Sequence, residues 1–280
     1  MSHGVYRSRD GRERIAGWSR ERLSGWGLPH TVNIVPTSSG NTFALTAGSG
    51  PTVLLLPGTN FSATTWLEVV TVLSEAFRVV ALDLPGQPGL SAPERPRCAA
   101  AYGDWLGDVI NQLDLREVVV VGHSLGAVVA MAGAARGAPV AAMVLYNPAG
   151  LVRLRVTARV LAATLPWLTR PSSVTAERLV RTMTTQAVPD HLAAWMALVG
   201  RHVRTSLAPA PLPDAALLRV QVPVAIFAAD HDPFLPPALV RRGAERLPDA
   251  GVTTVANAGH LLPHEQPLHV LRAVRAALGT

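Results

Sequence analysis

Residues 118–126 read Val-Val-Val-Val-Gly-His-Ser-Leu-Gly. Four consecutive β-branched residues with no polar break suit a strand buried on both faces, as in a parallel sheet. A tract of Ala, Val and Met follows that suits a helix. Between the two, Gly122-His123-Ser124-Leu125-Gly126 is a G-x-S-x-G sequence, in which a strand turns sharply into a helix and holds a serine at the apex. The flanking glycines fit because such a turn brings backbones too close for a Cβ. In that geometry Ser124 Oγ stands exposed over the helix N-terminus, and the Leu125 N–H can donate to an oxyanion. The strand before and the helix after lift a short pattern above chance.

The rest of the chain is consistent with that opening. Residues 30–35 and 42–47 read as two strands around the turn Ser38-Ser39-Gly40-Asn41. Apolar strands are expected at 52–56, 78–82, 118–121 and 142–146, alternating with helices at 63–75, 99–113 and 127–136. Residues 151–220 carry helical periodicity without a convincing strand. Alternation then resumes with a strand at 222–228, a helix at 237–246, a strand at 252–255 and a helix at 268–278. Strands alternating with helices predict an α/β fold, a mostly parallel sheet with helices on both faces, and the helical block reads as an inserted lid. The expected division is residues 1–150 for an N-terminal helix and the first part of the core, 151–220 for the helical cap, and 221–280 for the rest of the core.

Composition narrows the function classes. All 25 basic residues are Arg, giving a formal charge of +6, but the densest run, residues 7–22, is interrupted by Asp10, Glu13 and Glu21. That favours a solvated amphipathic helix over 12–26, carrying Ile15, Trp18, Leu23 and Trp26, above a nucleic-acid surface. The one cysteine, Cys98, allows no internal disulfide and suits a reducing compartment. No apolar leader and no run of about 18 apolar residues is visible, so a cytoplasmic protein without a membrane span is expected. No Cys or His cluster has metal-ligand spacing and no glycine-rich phosphate loop follows a strand, so neither metal nor cofactor is expected. A small-molecule substrate is the expected partner. Oligomeric state, monomer or homodimer, is not legible.

A serine hydroxyl needs a base, and the base needs an acid to fix its tautomer. In an α/β sheet both belong on loops at the carboxyl ends of strands. Of nine histidines, His260 follows the last expected strand, whereas His264 falls at the start of the next helix and His269 inside it. His123 precedes the serine and is assigned to packing, its side chain directed away from the elbow. The sequence Asp230-His231-Asp232-Pro233 closes the 222–228 strand. Asp232 is favoured because Pro233 enforces an extended turn before a new helix, with Asp230 as the fallback. The loop after the preceding strand holds Asn147, which carries no charge. The second oxyanion donor is expected from the loop after 52–56, where Gly58 permits close approach to the substrate and the Thr59 N–H is the expected donor.

With these residues in place, the chain resembles the α/β-hydrolase superfamily over nearly its whole length. The resemblance rests on Leu55-Leu56-Pro57-Gly58, Trp66, the run from Asp83 through Gly86 to Ser91, Gly122 to Gly126, Asp232-Pro233, and Gly259-His260 with Glu265-Gln266-Pro267. It implies an eight-stranded sheet, a Ser124–Asp232–His260 triad, an oxyanion hole from Thr59 and Leu125, and a helical cap. Asp83, Gly86 and Ser91 match a segment that is mainly structural. One position departs: Pro57 stands where the family usually has a histidine that braces the oxyanion loop. The expected activity is that of a serine hydrolase of carboxylic esters, carboxylesterase-like, acting through an acyl-enzyme on a small apolar substrate. The alternatives are a C–C bond hydrolase, a cofactor-free perhydrolase, and a non-catalytic binding protein on the same fold.

Overall fold

The computed structural model describes residues 4–206 and 209–280. Residues 207 and 208, inside the expected helical insertion, and residues 1–3 lie outside the described residues.

The strands β1 (His30–Thr37), β2 (Gly40–Ala47), β3 (Thr52–Leu56), β4 (Arg78–Leu82), β5 (Val118–His123), β6 (Val140–Tyr146), β7 (Val224–Ala229) and β8 (Ala250–Val255) form one sheet in the order β1-β2-β4-β3-β5-β6-β7-β8. Only the pairs β1·β2 and β2·β4 are antiparallel. The others are parallel, giving the mostly parallel sheet expected from the alternation of strands and helices.

β5 shows why four valines in a row make a central strand. Val118 and Val120 face one helical layer while Val119 and Val121 face the other. All four are completely buried, so period-two alternation needs no polar side. The first layer is built from α3 (Ala99–Gln112), α4 (Leu125–Ala135) and α9 (Pro237–Ala244), and the second from α2 (Leu67–Ser74) and α11 (Pro267–Leu278). After β3 the chain passes through α2 to β4 on one side, then returns through α3 to β5 on the other. The carboxyl ends of β3 and β5 therefore flank the crevice where open α/β sheets bind ligands.

Between β6 and β7 the chain forms α5 (Ala158–Thr169), α6 (Ser173–Met183), α7 (Asp190–His202) and the short α8 (Asp214–Leu217). The first three of these helices share a third apolar cluster that includes Ala163, Trp167, Leu179, Leu192 and Trp195, while Leu217 of α8 packs into the first.

The N-terminal helix α1 (Arg9–Ser24) is where the structure departs from the sequence reading. It is not simply a solvated helix attached to the core. Ile15 is fully buried in the third cluster, and Trp18 packs on Trp195 with ring centroids 4.7 Å apart. Just before α1, Tyr6 bridges to Val203 as an isolated β-pair. The Tyr6 hydroxyl also donates to the Gly89 carbonyl at 3.0 Å. Segments at opposite ends of the first two hundred residues thus form one packed unit above the sheet.

Asp83, at the end of β4, organises the loop beneath that unit. Its carboxylate accepts from the Ala63 N–H at 2.6 Å and the Leu90 N–H at 2.5 Å. The Ser91 hydroxyl donates to the Asp83 carbonyl at 2.7 Å and accepts from the Phe43 N–H at 2.8 Å. Complete burial pushes the Asp83 pKa up to about 6 against the opposing pull of those two N–H groups. The structural role implied for this segment follows from these bonds.

Candidate active site

Ser124 sits between β5 and α4 with φ 51° and ψ −108°, a conformation L-residues adopt only when their surroundings enforce it. Three bonds enforce it here. The Ser124 N–H donates to the Tyr146 carbonyl at 3.0 Å, and the Ser124 carbonyl accepts from Ala127 and Ala149 N–H groups at 3.1 and 3.2 Å. The two flanking glycines are sterically required: a Cβ on Gly126 would overlap the Leu56 carbonyl, and one on Gly122 would lie 2.8 Å from the Ala127 nitrogen. Leu125 opens α4, and the first N–H groups of a helix have no intrahelical acceptor.

His260 lies in the loop between β8 and the short helix α10 (Leu262–Glu265). Its Nδ1 is 2.7 Å from Asp232 Oδ2, and the Asp232 side chain is fully shielded from solvent. The other oxygen, Asp232 Oδ1, accepts from the Phe234 N–H at 2.7 Å and the Leu235 N–H at 3.0 Å. Pro233 shapes the turn that brings those donors round. The fallback acid, Asp230, is used elsewhere: its carboxylate accepts from the Asn257 and Ala258 N–H groups at 3.0 and 3.1 Å. It holds the backbone that leads to His260.

Two residues that the sequence reading assigned to packing or set aside hold the His260 backbone. Asn147, at φ 42°, donates from Nδ2 to the Gly259 carbonyl at 3.1 Å and the His260 carbonyl at 2.9 Å. Its Oδ1 accepts from the Ala229 N–H at 2.8 Å, so it ties the end of β6 to the end of β7 and to the histidine loop. His123 places Nε2 2.7 Å from the same His260 carbonyl. It does not turn away from the site, as the sequence reading had it, but lines the cavity. A ring nitrogen facing a carbonyl must donate, so the proton is assigned to Nε2. Burial, then the charges of His260 and His264, holds the His123 pKa well below the ordinary imidazole value and keeps the ring neutral.

Glu265 also holds the histidine loop. Oε1 accepts from the Gly259 N–H and Oε2 from the Thr185 N–H, both at 2.8 Å, joining the histidine loop to the segment between α6 and α7. The Gly-His…Glu spacing marked it in the sequence, although its partners could not be read there.

The loop at Pro57 is braced without the family's histidine. The Asn60 N–H donates to Gln87 Oε1 at 2.9 Å, and the Asn60 carbonyl accepts from Trp195 Nε1 at 2.6 Å. Asn60 Nδ2 also donates to the Thr205 hydroxyl at 2.8 Å. Gly58 lies tight against the elbow, since a Cβ there would be 2.9 Å from His123 Nδ1 and 3.4 Å from Ser124 Cβ. Thr59 is beside it, on the cavity wall.

Ser124, His260, Gly58 and Thr59 open onto one cavity of about 660 Å³, large enough for a small organic molecule. Its far wall comes from the inserted helices. Leu161, Leu165, Trp167, Leu168, Met183 and Met196 line it. Leu192 and Trp195 instead fill the interior of the helical unit. Phe234 meets the His260 ring edge-on at 4.9 Å between centroids.

An uncharacterized protein of Mycobacterium tuberculosis is 42% identical over 85 residues, 30% of this chain. The chain spans only 25% of that relative's length. A carboxylesterase of Bacillus subtilis, YbfK, is 26% identical over 279 residues, covering 92% of this chain and 91% of its own. Among solved structures, naproxen esterase (carboxylesterase NP) from Bacillus subtilis superposes with a TM-score of 0.81 at 25% identity, over 96% of this chain and 98% of its own. The sequence profile of the Alpha/beta hydrolase family matches residues 53–274, from β3 into the last helix. That span takes in the elbow, the Asp232 turn and the histidine loop in order, and the chain belongs to the Alpha/beta hydrolase family.

Proposed function

We propose that the protein is a serine hydrolase of carboxylic esters, carboxylesterase-like, with Ser124 as nucleophile, His260 as base and Asp232 as its orienting acid. The observation that carries this is the buried 2.7 Å pair of His260 Nδ1 and Asp232 Oδ2, on the same cavity as a serine held at positive φ. The carboxylesterase names of the Bacillus relatives support the same reaction.

Asp232 keeps the His260 proton on Nδ1, leaving Nε2 free to accept the Ser124 hydroxyl proton. Ser124 Oγ adds to the ester carbonyl, and the resulting oxyanion is held by the N–H groups of Leu125 and Thr59. The tetrahedral intermediate collapses as His260 returns its proton to the departing alcohol. Water, deprotonated in turn by His260, attacks the acyl-enzyme and releases the acid. The helices at 151–220 act as a cap, with a division of the core into 1–150 and 221–280. The apolar wall they supply selects a small apolar substrate, and no metal or cofactor enters the reaction. Among the described residues no helix is long and apolar enough to cross a membrane, and the cytoplasm is the proposed location.

The test is labelling of the purified protein by a fluorophosphonate probe, beside Ser124→Ala and His260→Ala. Labelling of the wild type alone is the expected result. A folded Ser124→Ala variant that still turns over p-nitrophenyl butyrate would overturn the assignment.

A further inference from the structure

The cavity wall is mostly apolar, but two arginines are among its lining residues. Arg7 and Arg204 line the cavity together with Ser124 and His260, and no Asp or Glu is among its described lining residues. Neither arginine has a carboxylate within ion-pair distance among the described residues, whereas six other arginines, Arg14, Arg22, Arg116, Arg136, Arg181 and Arg246, do.

The two come from distant parts of the chain and are brought together by fixed backbone. Arg7 follows Tyr6, and Arg204 follows Val203, the two partners of the isolated bridge. The Arg7 N–H donates to the His202 carbonyl at 2.8 Å, and the Arg204 N–H donates to the Val5 carbonyl at 2.7 Å. Arg7 Nε donates to the Val203 carbonyl at 3.3 Å, and its terminal nitrogens have no hydrogen-bond partner among the described residues. Arg95, which is not among the lining residues, donates from Nη2 to the Arg204 carbonyl at 3.4 Å. Beside them the Asn60 amide and the Thr205 hydroxyl pair across to the loop at Pro57. Cationic and polar groups therefore sit together on the wall, while α5, α6 and α7 supply the greasy remainder.

We infer that Arg7 and Arg204 form an anion subsite, and that the substrate class is an ester whose apolar body ends in a carboxylate or phosphate. This rests on the acyl-transfer reading of Ser124 and His260. A planar guanidinium pairs with either oxyanion through two parallel N–H donors. Both side chains are exposed, so solvent and salt screen the interaction and the preference is one of binding, carried by KM and weakened by ionic strength.

The experiment measures kcat/KM at low ionic strength for two matched pairs of esters. One is the mono-p-nitrophenyl ester of glutaric acid against p-nitrophenyl butyrate, which places a carboxylate on the acyl side. The other is butyryl glycerol 3-phosphate against monobutyrin, which places a phosphate on the alcohol side. The expected result is an anionic-to-neutral ratio of about ten or more, a difference of about 1.4 kcal/mol, in at least one pair. The responding pair identifies the anion and the side. The ratio falls towards one in Arg7→Gln/Arg204→Gln and at high salt, while Arg7→Lys/Arg204→Lys, which keeps the charge, retains most of it. A wild-type ratio at or below one in both pairs overturns the subsite. So does a ratio that survives in the Gln variant, or one lost equally in the Lys variant. Good turnover of the neutral esters with no anionic preference defeats the subsite alone. No turnover of any ester, with no fluorophosphonate labelling, defeats the acyl-transfer reading and this inference with it.

Discussion

His264 should make the fold acid-sensitive. Its ring lies in α10, 5.2 Å from Trp66 and 5.6 Å from Phe61 between centroids. Its Nε2 is closed off from solvent with no hydrogen-bond partner among the described residues. Desolvation, reinforced by the charge on His191 and opposed by Glu68, lowers its pKa from 6.5 to about 3. A folded-state pKa below the unfolded one means that the unfolded chain binds the proton first. Stability is therefore full above pH 6.5 and is lost progressively as pH falls toward 3. The complete shift is worth at most about 5 kcal/mol, and integrating only from pH 7.5 to pH 5 gives a loss of about 2 kcal/mol.

Asp83 works in the opposite sense. Its pKa is raised to about 6 in the fold, so its contribution grows as pH falls through 6 toward the unfolded value of 3.8. The assay must cancel that term. Urea unfolding of wild type and His264→Phe at pH 7.5 and pH 5.0 does so, because Asp83 is present in both proteins. Any constant packing penalty of the larger ring also drops out when each protein is compared with itself. Wild type should lose about 2 kcal/mol more than the variant between the two pH values. Parallel losses would refute the reasoning and mean that the ring takes up its proton in the folded state at little cost.

Two substitutions probe the scaffold of the site. Asn147→Asp keeps an acceptor for the Ala229 N–H but sets a carboxylate oxygen against the Gly259 and His260 carbonyls that Asn147 Nδ2 now serves. Displacing a catalytic group by about 1 Å can cost about 100-fold. A fall in kcat of at least about tenfold with KM within about twofold is expected from steady-state kinetics, and an unchanged kcat would show that the His260 backbone does not need this hold. Gly58→Ala places a Cβ 2.9 Å from His123 Nδ1 and 3.4 Å from Ser124 Cβ. Overpacking of this kind costs about 1–3 kcal/mol, to be read as a lowered thermal midpoint together with slower acylation by p-nitrophenyl butyrate. Wild-type values for both would mean that the loop has room to move away from the elbow.

What could be read from the sequence divides along physical lines. The eight strands and the elbow declare themselves through local demands: period-two burial at Val118 to Val121, steric exclusion at Gly122 and Gly126, a proline-shaped turn at Asp232-Pro233. Each is a constraint that a few adjacent residues satisfy by themselves. α1 was legible as a helix with an apolar stripe, but not the surface it covers, because Trp195 lies far along the chain and nothing local to Ile15 or Trp18 names it. Asn147 and His123 were misjudged for a related reason. Their work is to donate to the carbonyl of another residue, and a carbonyl belongs to every residue, so no side-chain pattern betrays the partner.

Pro57 shows what this costs and what it hides. Judged by motif, the missing histidine leaves the oxyanion loop unbraced. In the fold, Gln87 accepts from the Asn60 N–H and Trp195 donates to the Asn60 carbonyl instead. Gln87 belongs to the loop after β4, but Trp195 belongs to α7 in the inserted unit and is itself packed on α1 through Trp18. The histidine of the family acts from within the loop it steadies. Here the same loop is held from above, by a helix whose position depends on the N-terminal segment. Thr59, and with it the proposed oxyanion hole, is thereby coupled to the packing of the helices that wall the cavity.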